Sequence, residues 1–92
     1  MRVNIKTYGD LRQALGERFT MDLKDGATLE ELASKIRAQR SSTKKRILKS
    51  FNLSKSNQMV LVNGRNINTL NKLKTELNHG DTVTIIPLVV GG

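Results

Sequence analysis

Gly91 and Gly92 close the sequence, directly after Leu88, Val89 and Val90. Folded domains usually end in polar, disposable residues, so three aliphatics followed by two glycines require a reason. Apolar side chains on an arm in water carry a free-energy cost and expect a partner groove. Glycine lacks Cβ, so two in succession make the thinnest and most permissive backbone strip available. Such a strip can thread a narrow channel and present its carboxylate to a buried catalytic centre. The chemistry this suits is activation of Gly92 itself. A free carboxylate resists nucleophiles. Conversion with ATP to an acyl-adenylate supplies a leaving group, after which sulfur or an amine can attack. A Gly-Gly pair alone is a weak signal, since a frayed tail would look the same. The strand, proline and aliphatics in front of it make the signal stronger.

The catalyst of that step must be another protein. The chain has no Cys and a single His, and it contains no phosphate-cradling motif and no clustered carboxylate pair. No catalytic residue is therefore intrinsic, no metal site is expected, and no cofactor is bound; ATP is consumed by the partner. His79, between Asn78 and Gly80, reads as an exposed turn residue. The N-terminal residues Met1 to Lys6 alternate polar and apolar, without the apolar core of a signal peptide. No stretch is long enough to span a membrane, so the expected setting is cytoplasmic.

The net charge of +8 has a location. Lys35, Arg37, Arg40, Lys44, Lys45, Arg46, Lys49 and Lys55 lie together with no acidic residue among them. Of 16 basic residues, the other eight are matched by all eight acidic ones, so the excess is a local patch. Within the patch, Arg37, Arg40, Lys44, Lys45, Arg46 and Lys49 are the candidates for binding. A charge run is most often a solvated face. An acidic protein partner is the next reading, and nucleic acid the last. Phe51 is the only aromatic residue there and fits a helix core period, so base stacking has little to work with.

The elements that must position the tail are legible from periodicity. Residues 2–8 alternate with Val3, Ile5 and Thr7 on one side, which predicts a strand. Asp10 to Gly16 predicts one or two helical turns, with Leu11, Ala14 and Leu15 at helical spacing, Asp10 as cap and Gly16 as stop. Residues 17–23 alternate again through Phe19, Met21 and Leu23. Thr28-Leu29-Glu30-Glu31 is a capping box, and Leu29, Leu32, Ala33 and Ile36 make one apolar helical face. Ser41-Ser42-Thr43 interrupts that pattern and supplies a new cap for a second helical stretch over about 43–52, which would bury Ile47, Leu48 and Phe51; one kinked helix over 28–52 is the alternative. Met59 to Val62 reads as a strand, Asn63-Gly64 as a tight hairpin turn, and Arg65 to Ile67 as a short return. Leu70, Leu73 and Leu77 fall in a connecting turn. Thr82 to Ile86 is the most β-prone run, and pairing should end at Pro87, which lacks a donor. The order predicts an α+β fold: a mixed sheet of four to five strands packed on one face by a main helix. Residues 1–87 form the domain and 88–92 a tail.

At this point the chain resembles, nearly end to end, the MoaD/ThiS branch of the ubiquitin-like β-grasp superfamily. The resemblance is carried by Leu11-Arg12-Gln13-Ala14-Leu15-Gly16, by Thr28-Leu29-Glu30-Glu31-Leu32 and by Val62-Asn63-Gly64. It is carried above all by the closing run from Gly80-Asp81 through Pro87 to Gly91-Gly92. The resemblance implies adenylation of Gly92 by a ubiquitin-activating-type adenylyltransferase, then thiocarboxylation and donation of sulfur to molybdopterin, thiazole or tRNA. It implies partner docking through Ile86, Pro87 and Leu88, and threading of Leu88, Val89, Val90 and Gly91. The partners it brings are the adenylyltransferase, a molybdopterin synthase large subunit, or the lysines of target proteins if the chain is a conjugated modifier. Leu88 stands where many molybdopterin-synthase small subunits carry a second proline, and the basic segment is longer than usual. A modifier-like or tRNA-thiolation role therefore stays open. An RNA-binding β-grasp module using residues 35–55 is the alternative of another class, and it would not need Gly91-Gly92.

Overall fold

The computed structural model describes residues 1–40 and 58–87. Five strands form one mixed sheet in the order β2-β1-β5-β3-β4. Strand β1 (Arg2–Thr7) lies antiparallel to β2 (Arg18–Asp22) and parallel to β5 (Thr82–Pro87). Strand β3 (Gln58–Val62) pairs antiparallel with both β5 and the two-residue β4 (Arg65–Asn66). The two outer segments of the chain thus meet at the middle of the sheet, as the fold class anticipates.

Helix α2 (Leu29–Arg40) covers one face. Its Leu29, Leu32, Ala33 and Ile36 are buried, together with Val3, Ile5, Met21, Val60, Val62, Val83 and Ile85 from the strands. Full burial of an aliphatic side chain of this size contributes about 1.5–3 kcal/mol, so this single layer supplies most of the driving force. The Thr28 hydroxyl accepts the Glu31 amide at 3.4 Å. The return half of the expected capping box does not form. The Glu31 carboxylate lies 3.8 Å from Lys24 Nζ instead, an exposed pair that contributes little.

Helix α1 (Gly9–Leu15) fills the connection between β1 and β2. Asp10 is not its cap. The helix begins two residues earlier, with Tyr8 in the cap position and no side-chain bond there. Gly16 does end it, donating its amide to the Arg12 carbonyl at 2.8 Å. Leu15 is buried, while the side chains of Leu11 and Ala14 lie outside the described residues. The same holds for the expected helix over 43–52, with Ile47, Leu48 and Phe51.

Asn63 and Gly64 form the two-residue turn between β3 and β4, with φ of 52° and 84°. Positive φ at both positions is the geometry that makes Asn-Gly the preferred hairpin dipeptide. Two short 3₁₀ turns follow at Ile67–Thr69 and Lys72–Lys74; Leu70, which ends the first, and Leu73, in the second, are partly buried, and Leu77 beyond them is buried.

Candidate functional site: the tail exit and the open sheet face

Strand β5 carries the chain to its tail, so whatever fixes β5 fixes where the tail starts. Its beginning is tied by side chains. Asn63 Nδ2 donates to Asp81 Oδ1 at 2.9 Å, and Asn63 Oδ1 accepts the Thr82 amide at 2.9 Å. Asp81 Oδ2 accepts the Asn78 amide at 2.8 Å, and the Asn4 amide donates to the Asp81 carbonyl at 2.8 Å. The Asn-Gly and Gly-Asp turns, far apart in sequence, form one clamp on β5. His79 is exposed in the second turn, and its Nδ1 accepts the Arg2 amide at 3.0 Å.

The far end of β5 lies at Pro87, where the sequence places the end of pairing, and Pro87 stands opposite Gln58. A proline at the last rung keeps its acceptor and forfeits only a donor, so the strand tolerates it there. On the other side of Pro87 lies Gly9. With φ of +64°, Gly9 sits in the left-handed region, and a Cβ on it would stand 2.6 Å from Pro87 Cγ. A side chain there would collide with the residue from which the tail leaves. Gly9 was not legible as a functional residue in the sequence, because its partner is 78 positions away and nothing local marks the contact.

Ile86 is half-buried on the sheet face opposite α2. Met59 is directly across from it, and Leu61 lies one rung further along the same face. Both are also half-buried, so an apolar strip runs beside the tail exit. Its signal in the sequence is the unbroken run Met59 to Val62, since a strand buried on one face needs only alternation. The β1–β2 half of the same face is polar: Arg2, Asn4, Arg18, Thr20 and Asp22 are exposed, and Lys6 is half-buried.

Of the other expected site residues, Arg37 is half-buried on α2 and donates from Nη2 to Ser34 Oγ at 3.2 Å. Arg40 closes α2, with its side chain outside the described residues. Lys44, Lys45, Arg46 and Lys49 lie outside them, as do Leu88, Val89, Val90, Gly91 and Gly92. No described helix is long and apolar enough to cross a membrane.

Residues 5–92 match the sequence profile of the ThiS family, which takes in every element just described except the first residues of β1. The chain belongs to the ThiS family. ThiS-family proteins are small ubiquitin-like carrier subunits rather than catalysts, in keeping with a site made of backbone and apolar side chains. Solved structures place this ThiS-family chain among β-grasp proteins. A chain of the BexX/CysO complex from Amycolatopsis orientalis shares 30% identity, with 98% of this chain and 99% of that one covered and a TM-score of 0.70. The small archaeal modifier protein 1 of Methanosarcina acetivorans shares 26%, covering 99% and 96%, with a TM-score of 0.74. A chain from the complex of subunits 1 and 2 of the molybdopterin-converting factor of Helicobacter pylori shares 21% over 100% of both chains, with a TM-score of 0.60. No curated protein sequence matches the chain.

Proposed function

We propose that this ThiS-family chain is a sulfur carrier whose Gly92 is activated by a partner enzyme of the ubiquitin-activating type. The observation that carries the reading is the path of β5. Clamped by Asn63 and Asp81 at one end, its described part ends at Pro87, beside an apolar strip of Met59, Leu61 and Ile86, and the sequence continues as Leu88-Val89-Val90-Gly91-Gly92. The strip and Ile86-Pro87-Leu88 would dock on the enzyme while the thin Gly91-Gly92 segment enters its active site. There the Gly92 carboxylate attacks the α-phosphorus of ATP and pyrophosphate departs. A sulfur nucleophile then displaces AMP, leaving a thiocarboxylate for transfer in molybdopterin synthesis or tRNA thiolation. The domain supplies rigidity and a docking face, and the tail supplies the reacting atoms.

The likeness to a small archaeal modifier protein favours a second reading, in which the activated Gly92 is joined to lysines of target proteins. Intact-mass spectrometry of the protein from its native host separates the two. A gain equal to the difference between sulfur and oxygen marks the thiocarboxylate, whereas tryptic peptides of other proteins with a lysine joined to this chain's C-terminal peptide, Thr75 to Gly92, mark conjugation. A terminus that is always a free carboxylate, with no such peptides, would count against both.

A further inference from the structure

On the open sheet face, two cross-strand pairs of charged residues are treated in opposite ways. At one end of the β1–β2 ladder Arg2 faces Asp22, and Arg2 Nε bonds the Asp22 carboxylate at 3.0 Å. At the other end Lys6 directly faces Arg18. Like charges directly opposite on a sheet destabilise it. Neither cation has an acidic partner among the described residues: Glu17, next to Arg18 in sequence, is engaged with Arg12 at 3.7 Å. Lys6 Nζ instead lies 5.9 Å from the centre of the Tyr8 ring. The pair borders a shallow groove of about 490 Å³ lined also by Asn4, Ile5, Phe19, Thr20 and Thr82.

The location gives the pair a use. Lys6 is aligned with Thr84 of β5, two residues before Ile86 and three before Pro87, so the two cations share the Pro87 end of the sheet. We propose that Lys6 and Arg18 form a two-cation contact for an acidic loop of the protein that receives the tail. This rests on the carrier reading and gives its docking face a polarity: cationic on the β1–β2 side, apolar on the β3–β5 side. Two facing cations at the border of a groove can hold one carboxylate from both sides, and the repulsion between them is relieved only when it arrives. A polyphosphate backbone fits less well, since the charge here is a single pair that borders an apolar strip.

The test measures ATP–pyrophosphate exchange by the purified activating-type enzyme of the same organism, as a function of carrier concentration at low and high salt. Wild type is compared with Lys6→Gln/Arg18→Gln and Lys6→Glu/Arg18→Glu, each with a melting curve. The charge-reversed variant should raise KM for the carrier about tenfold at low salt with kcat unchanged. The neutral variant should fall between, and the differences should shrink as salt screens the contact. Lys6→Glu alone should melt at or above the wild-type temperature, because it turns a repulsive cross-strand pair into an attractive one. A folded charge-reversed variant with wild-type KM overturns the acidic-loop contact and leaves the carrier reading standing. Absence of exchange with the wild-type chain would overturn both.

Discussion

Gly9 and Pro87 lie against one another so closely that a Cβ on Gly9 would stand 2.6 Å from Pro87 Cγ. One residue opens α1 and the other ends the described part of β5, so the contact ties the helical corner to the root of the tail. Gly9→Ala should cost about 1–2 kcal/mol for an L-residue held at positive φ and about 1–3 kcal/mol more for the forced overlap. Adding Pro87→Ala should recover the second part only. Denaturant unfolding of the single and double variants checks this, and a double variant no more stable than Gly9→Ala would show that the ring is not the obstacle.

The Asn63–Asp81 clamp separates conformation from hydrogen bonding. Asn63→Gly keeps the positive φ and loses both side-chain bonds, at about 0.5–1.5 kcal/mol each. Asn63→Ala loses the bonds and adds about 1–2 kcal/mol of left-handed strain. The expected order of stability is wild type, then Gly, then Ala. Equal losses for the two variants would mean that the turn conformation contributes nothing.

The hydrogen bond from Arg2, followed by the attraction of its charge, holds the Asp22 carboxyl below the usual carboxylate range. A depressed folded-state value means that the unfolded chain takes up the proton first as pH falls. The contribution is whole above the unfolded-state value and disappears as pH drops through the folded-state value. Both side chains are exposed, so the effect is small and salt-sensitive. Asp22→Asn should flatten the acid limb of the stability profile at low salt and leave it unchanged at high salt.

The basic segment should be separable from activation, because its charges fall outside the strands and tail that carry the family signature. Neutralising Lys44, Lys45 and Arg46 together should leave ATP-dependent activation nearly intact while weakening salt-sensitive binding to acidic proteins or RNA. Loss of activation by the folded triple variant would instead place the segment in the enzyme interface.

Local signals carried most of the fold. Alternation gave β1 and β2, the β-prone run Thr82 to Ile86 gave β5, and the i, i+3, i+4, i+7 face gave α2 with Leu29, Leu32, Ala33 and Ile36 inward. The Asn63-Gly64 dipeptide gave its own turn. What was missed depends on chain segments meeting at a distance. The Asn63 side chain reaching Asp81, Gly9 seated on Pro87, and Lys6 facing Arg18 are products of sheet order and register, which hydrophobic periodicity does not encode. Asp10 is a good capping residue type, yet Gly9 with its positive φ brings the chain into the helix two residues sooner, with Tyr8 at the cap. For the site, the sequence pointed to the tail through its composition. The apolar strip and the cation pair that flank its exit appear only once β3, β5, β1 and β2 are side by side.

The tail itself offers the most direct measurement. Removal of Gly91-Gly92 takes away residues beyond the last described rung at Pro87, and such segments contribute little to folding. ATP–pyrophosphate exchange by the activating-type enzyme, run beside melting curves, compares the full chain with the chain lacking Gly91-Gly92. The full chain should support exchange, and the deletion variant should melt at nearly the same temperature and support none. Undiminished exchange by the folded deletion variant would contradict the carrier function.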